Sequence, residues 1–289
     1  MEVDARARAI VETVREDQKA GAAQLAASAL AAVRDWLTSG TVPASLLDRV
    51  LDELTRARPS MVPLANAIAR CQELFGPWRD SSNVSEQAAP VVRSVLEQLA
   101  RANERVALSA FELVPEQATI LTHSRSSQVV ALFRLLAERQ QPFSVICTQS
   151  SPGNEGFTLA RELDQLDVPV TLITDAQTGR FMAEADIVFS GCDTWLSDQH
   201  FVNKSGTYLL ALAARDQGKP LWVLADSFKD SPGTCQSVVL EEMAPDELGG
   251  PTGAHIRTRN IYFETIPVHL VTGRVSDQGV FSFPAEPRR

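Results

Sequence analysis

The groups in this 289-residue chain best placed to do chemistry cluster around one short apolar run, Ile187-Val188-Phe189. It leads into Gly191-Cys192-Asp193 and, after a polar turn, into Asn203-Lys204-Ser205-Gly206-Thr207. A second apolar run, Leu221-Trp222-Val223-Leu224, ends in Asp226-Ser227-Phe228-Lys229. A carboxylate such as Asp193 at a strand end can move protons as a general acid or base. Lysines beside the amides of a helix start offer a seat for phosphate. Each residue taken singly has a plainer use: Asp193 as a loop or cap residue, and the Asn203 to Thr207 run as an ordinary N-cap.

The elements that must position these groups follow from the hydrophobic pattern. Residues 1 to about 111 read as helix after helix, with Ile10, Val14, Leu25, Ala26, Ala29, Leu30 and Val33 at helical spacing. Gly40, Pro43, Arg58-Pro59 and Gly76-Pro77 punctuate this half. The pattern predicts four or five helices, the last over 84–111. Beyond residue 118 short apolar strands are predicted at 119–122, 143–147, 168–174, 187–189 and 221–224. Helical runs at 128–139, 157–166 and 208–215 lie between them. That alternation predicts an α/β fold: a helical N-terminal domain, 1–115, then a Rossmann-like, mostly parallel β-sheet domain, 116–289. In such a sheet, ligands gather beyond the carboxyl ends of the strands, where Asp193, Asn203, Lys204 and Lys229 are expected. Residues 241–258 read as loop, two last strands are predicted at 261–263 and 269–272, and the PAEPRR tail is expected to fray.

Composition narrows the function classes. A net charge of -9 and a pI near 5 argue against direct nucleic-acid binding or an anionic membrane surface. No apolar run is long enough to span a bilayer, and the MEVDARARAI start has no signal core, so the cytoplasm is the expected compartment. Cys71, Cys147, Cys192 and Cys235 show no paired spacing, and His123, His200, His255 and His269 are scattered. Spacing therefore indicates neither a disulfide framework nor a zinc site, and no metal or cofactor is expected. Cys147 and Cys192 read as buried small hydrophobes.

Gly191-Cys192-Asp193, then Asn203-Lys204-Ser205-Gly206-Thr207 and an alanine-rich helix, resembles one family in both length and order. It is the family of translation initiation factor 2B alpha, beta and delta subunits. That family also contains ribose-1,5-bisphosphate isomerase and methylthioribose-1-phosphate isomerase. Four further stretches are similar to its motifs. At Thr122-His123-Ser124-Arg125-Ser126 the isomerases carry a catalytic cysteine where this chain has Ser124. Arg58-Pro59-Ser60, followed by Asn66, resembles an arginine-proline-threonine motif whose arginine holds a substrate phosphate. Lys19-Ala20-Gly21 resembles an amino-terminal segment that closes over the ligand. At Thr148-Gln149-Ser150-Ser151-Pro152, followed by Gly156, Gln149 and Ser151 replace a glutamate and an arginine of the family pattern. Arg259-Asn260 with Phe263-Glu264 resembles a signature partly concerned with subunit packing.

The resemblance implies a phosphorylated sugar or nucleotide as ligand and a homo-oligomer, dimer or larger. It implies Asp193 and Ser124 as catalytic groups. Arg58, Asn203, Lys204, Lys229, Gly21, Arg125 and Gln149 would bind substrate. Serine is a far weaker acid than the family's thiol, so two readings stand. One is an aldose-ketose isomerase using Asp193 with Ser124 or water. The other is a non-catalytic subunit that binds the metabolite or acts through protein contacts alone. Ser124 itself reads either as an acid-base group or as a helix cap.

Overall fold

The computed structural model describes residues 2–17, 20–75 and 83–284. The expectations for Lys19, for the turn at Gly76-Pro77 and for most of the PAEPRR tail lie outside the described residues. The chain divides into two compact units, Met1–Ala102 with Phe228–Asp230, and Asn103–Ser227 with Ser231–Arg289. The division falls inside helix α5, Ser85–Phe111, rather than after it. Among the described residues no helix is long and apolar enough to cross a membrane.

The first unit holds α1 (Glu2–Glu16), α2 (Ala22–Thr38), α3 (Ala44–Ala57), α4 (Val62–Phe75) and the first part of α5. The periodic run expected from Ile10 to Val33 is broken in two, because Gly21 takes an extended conformation and serves as the N-cap of α2. Leu25, Leu30, Leu37, Leu51, Leu54, Leu64 and Ile68 form its core, each almost wholly withdrawn from water. Phe228 packs against that core, and Asn66 Nδ2 donates to the carbonyls of Phe228 (2.7 Å) and Asp230 (2.8 Å). One asparagine therefore holds a three-residue segment that sequence distance would assign to the other unit.

The second unit is built on a seven-stranded sheet in the order β10-β9-β7-β4-β1-β2-β3. Its strands are β1 (Thr119–Thr122), β2 (Ser144–Thr148), β3 (Val170–Ile173), β4 (Ile187–Ser190), β7 (Leu221–Leu224), β9 (Gly273–Ser276) and β10 (Gly279–Ser282). All neighbours are parallel except β10, which turns back along β9. The central strands β1, β4 and β7 are almost wholly buried, as strands covered on both faces must be. Helices α6 (Ser127–Glu138), α7 (Glu155–Asp164), α8 (Thr178–Phe181) and α9 (Thr207–Asp216) supply the connections. The order reverses at β1: β2 and β3 lie on one side of it and β4 on the other. The switch point therefore lies between the carboxyl ends of β1 and β4.

The expected turn between Asp193 and Asn203 is instead a hairpin, β5 (Thr194–Trp195) and β6 (His200–Lys204). With β8 (Phe263–Pro267) it makes a separate antiparallel sheet in the order β5-β6-β8. Trp195 stacks on Phe201 at 5.6 Å and covers it from water. The strand expected at 269–272 is largely a 3-10 turn, Val268–Leu270, leading into β9.

Candidate functional site

Parallel pairing brings the ends of β1 and β4 into register, with Thr122 opposite Phe189. The two loops that follow leave side by side. A Cβ added to Gly191 would lie 2.5 Å from both Cβ and Oγ of Ser126, so these loops touch and Gly191 has no room for a side chain. Ser124 stands two residues before that contact and Asp193 two residues after it. Asp193 is half-buried, and its amide donates to the Val202 carbonyl at 2.9 Å, which fixes the start of the β5–β6 hairpin.

Ser124 is not a cap. The N-cap of α6 is Ser126, and Ser124 sits in the left-handed region at φ 62, an uncommon place for a residue with a side chain. Its amide donates to Ser150 Oγ at 2.7 Å, and Ser150 also has φ 62. A directed chain of hydrogen bonds continues from there. Ser150 Oγ and Thr148 Oγ1 are 3.2 Å apart, and Thr148 Oγ1 lies 2.7 Å from His123 Nδ1. His123 Nε2 reaches the Ser205 carbonyl at 2.9 Å. A carbonyl can only accept, so Nε2 carries the proton and Nδ1 accepts from Thr148. Burial holds the His123 pKa below its ordinary value, which keeps this neutral tautomer. Asp175 closes the network by accepting the Ser150 and Ser151 amides, both at 2.8 Å. Four segments are thereby locked: the ends of β1 and β2, the turn after β3, and the approach to α9.

That network contains residues that sequence reasoning passed over. In the sequence His123 reads as one of the scattered histidines, although it directly follows β1 and directly precedes Ser124. Its role shows only in partners at Thr148 and Ser205, far along the chain. Gly206 is bound to it sterically. With φ +109 and His123 within 2.6 Å of any added Cβ, this position accepts glycine alone without strain.

The expected phosphate seat at the start of α9 is already filled. Glu264 Oε1 accepts from the Gly206 amide at 2.7 Å and from the Tyr208 amide at 2.8 Å. A carboxylate is an anion, and at this helix end it takes the place an incoming phosphate would need. Replacing Glu264 with alanine is expected to destabilise the unit by about 1–2 kcal/mol, the value of a lost cap. Inorganic phosphate should then raise the melting temperature of the variant more than that of the wild type. Equal shifts would show that α9 is not the place where anion and carboxylate compete.

Lys204 is likewise committed. It lies on β6 rather than at a helix start, its side chain is 5% exposed, and Nζ meets Glu155 Oε1 at 2.7 Å. The same ammonium rests 3.6 Å from the centre of the Tyr262 ring, a cation–π contact in a nearly dry setting. Asn203, also on β6, donates to Ser190 Oγ (3.2 Å) and Thr207 Oγ1 (2.9 Å), tying β4 to α9. Arg125 pairs with Glu162 Oε1 at 2.8 Å. Gln149 continues the β2–β3 ladder through its amide, which donates to the Ile173 carbonyl at 2.8 Å.

Gly21, Arg58 and Lys229 belong to the first unit. Arg58 is buried and donates to the Asp17 carbonyl, Lys229 is buried in a 3-10 turn, and Gly21 is exposed. Ser124, Arg125, Gln149, Asp193, Asn203 and Lys204 belong to the second unit. Cys147 and Cys192 are buried, and burial pushes the Cys147 thiol up to about 11, away from thiolate chemistry.

One helix start in the second unit with room for an anion is that of α6. No acidic residue sits in its first turn, and the Ser126 hydroxyl makes no capping bond to it. That start lies beside Asp193's loop, at the switch point.

Known proteins are similar to this chain in sequence and fold. The profile of the Initiation factor 2 subunit family matches residues 7–283. A putative translation initiation factor eIF-2B subunit 2-like protein of Pyrococcus horikoshii is 32% identical over 280 residues, covering 96% of each chain. Ribose 1,5-bisphosphate isomerase of Haloferax volcanii is 29% identical over 282 residues, covering 90% of this chain and 84% of its own. The crystal structure of the translation initiation factor eIF-2B of Pyrococcus horikoshii OT3 superposes with a TM-score of 0.82 at 30% identity, covering 96% of this chain and 98% of that one. By profile, sequence and fold, this chain belongs to the Initiation factor 2 subunit family, among whose members are both eIF-2B-like proteins and sugar-phosphate isomerases.

Proposed function

We propose that this protein binds a phosphorylated sugar at the switch point between β1 and β4, and that binding rather than turnover is its main activity. The observation that carries this reading is the contact of Gly191 with Ser126, which sets Asp193 and Ser124 on adjoining loops. The phosphate would rest on the start of α6, with Asp193 facing the sugar hydroxyls as hydrogen-bond acceptor. An isomerase also needs a second group that gives and takes a proton. Ser124 is poorly suited to this. The histidine beside it has both ring nitrogens engaged with Thr148 and Ser205, so it cannot activate the hydroxyl.

A thermal-shift screen against pentose phosphates and bisphosphates tests the reading. A ligand at a hundred times its Kd adds about 2.7 kcal/mol to the folded state and should raise the melting temperature by several degrees. Asp193→Asn is expected to remove most of that shift. Wild-type protein should show no isomerisation at high enzyme concentration, whereas Ser124→Cys should show measurable turnover. If no phosphorylated sugar moves the melting point, the protein works through protein contacts, and the binding reading is wrong.

A further inference from the structure

The hairpin that begins at Asp193 carries a second cluster of donor atoms at its far end. Asp198 lies in the β5–β6 turn, His200 opens β6, and Cys235 comes from the segment after β7. One ligand atom from each lies within 4.8 Å of the other two. His200 Nδ1 is 3.4 Å from Asp198 Oδ1 and 2.9 Å from the Asp198 backbone carbonyl, which can only accept, so Nδ1 is a donor in the ion-free protein. Asp198 Oδ1 is buried and has no hydrogen-bond partner, an expensive condition for a carboxylate. The other carboxylate oxygen accepts the Cys235 amide at 2.8 Å, holding the thiol against the cluster. All three residues are half-buried, so a small ion can reach them.

We propose that Asp198, His200 and Cys235 form a binding site for a zinc ion, which clamps segment 231–237 to the β5–β6 hairpin. Thiolate, imidazole and carboxylate together suit zinc, and a water would complete four-coordination. Binding replaces the thiol proton, which leaves to solvent, and gives the unpartnered Asp198 oxygen a cation to meet. Backbone bonds already join these segments: Ser197 N–H to the Gly233 carbonyl at 3.0 Å, and Ser231 N–H to the Trp195 carbonyl at 2.8 Å. An ion would lock that strap in place. The same hairpin carries Asn203 and Lys204 on β6, and Asp193 directly precedes it, so the clamp stiffens the frame of the switch-point crevice. Sequence spacing concealed the site, because Cys235 lies far from the Asp-x-His pair.

Cobalt(II) titrated into metal-free, tag-free, full-length protein tests this independently of any sugar ligand. The expected result is one cobalt per chain, with a near-ultraviolet sulfur-to-cobalt band and visible bands of tetrahedral cobalt, all displaced by zinc. Cys235→Ser should remove the sulfur band. His200→Gln and Asp198→Asn should each weaken binding by about tenfold or more, and they carry the test if the cysteine variant fails to fold. A wild-type protein that gives no sulfur band overturns the proposal. So does a band that persists in Cys235→Ser, or affinities unchanged in both His200→Gln and Asp198→Asn.

Discussion

Gly156→Ala is expected to destabilise the protein by about 4 kcal/mol, in the range reserved for a named structural collision. The added Cβ would fall 1.8 Å from the Thr148 carbonyl oxygen and 3.0 Å from the Gln149 Cα. Both obstacles are main chain. Thr148 is paired with Ile173 on β3 and cannot retreat without breaking that ladder, so α7 must lift off β2 instead. Two ion pairs depend on the seat of α7: Glu155 with Lys204, and Glu162 with Arg125. Lifting the helix would leave the buried Lys204 ammonium with its partner withdrawn, which costs more than never having made the pair. Overpacking alone is worth about 1–3 kcal/mol, and the strained pair adds to it. Gly179→Ala is the control, since nothing lies within 4 Å of its added Cβ. A helical glycine with open space should tolerate alanine or gain about 0.5–1 kcal/mol from it. Chemical unfolding of the three proteins measures both effects. A loss below about 1 kcal/mol for Gly156→Ala would mean that α7 and β2 are not packed as described.

The parts of this molecule that were legible in its sequence are those whose signal is local. β1, β4 and β7 are short apolar runs because both of their faces are covered, and such runs need no partner to be recognised. The helical first unit announces itself by periodicity. Long-range partnerships were not legible. Asn203 and Lys204 look like a helix start, since a buried strand ending in two polar residues is improbable until Ser190, Thr207, Glu155 and Tyr262 are seen to satisfy them. Glu264 gives no hint that it caps a helix 56 residues earlier. The start of α9 reads in the sequence as a seat for an anion, since amides and positive charge attract one, whereas in the structure the protein's own Glu264 carboxylate occupies it. The β5–β6 hairpin reads as a turn in the sequence for a related reason: its strands are short, and its core contact is an aromatic stack between Trp195 and Phe201, not an alternating pattern.

The contact of Gly191 with Ser126 makes a second strong prediction, and this one can be reversed. Gly191→Ala is expected to cost about 2 kcal/mol of stability, because the new methyl meets Ser126 Cβ itself at 2.5 Å. Rotating the serine hydroxyl away would not help; the backbone of the α6 N-cap must move. That displacement parts the two loops carrying Ser124 and Asp193, so affinity for a phosphorylated pentose should fall about thirtyfold, the equivalent of the same 2 kcal/mol. Ser126→Gly alone should be mild, a few tenths of a kcal/mol, since its hydroxyl makes no capping bond. Combined with Gly191→Ala it removes the atoms that the new methyl strikes. The double variant should therefore recover most of the lost stability, with a coupling of about 1 kcal/mol or more in a double-mutant cycle. Simple addition of the two single costs would show that the loops are not in contact. Because the unfolding cycle needs no ligand, it tests the geometry of the switch point apart from the identity of whatever binds there. Recovery of stability without recovery of binding would mean that the loops touch but do not hold the sugar. Recovery of both would tie the reversal of strand order at β1 to the chemistry expected at its mouth.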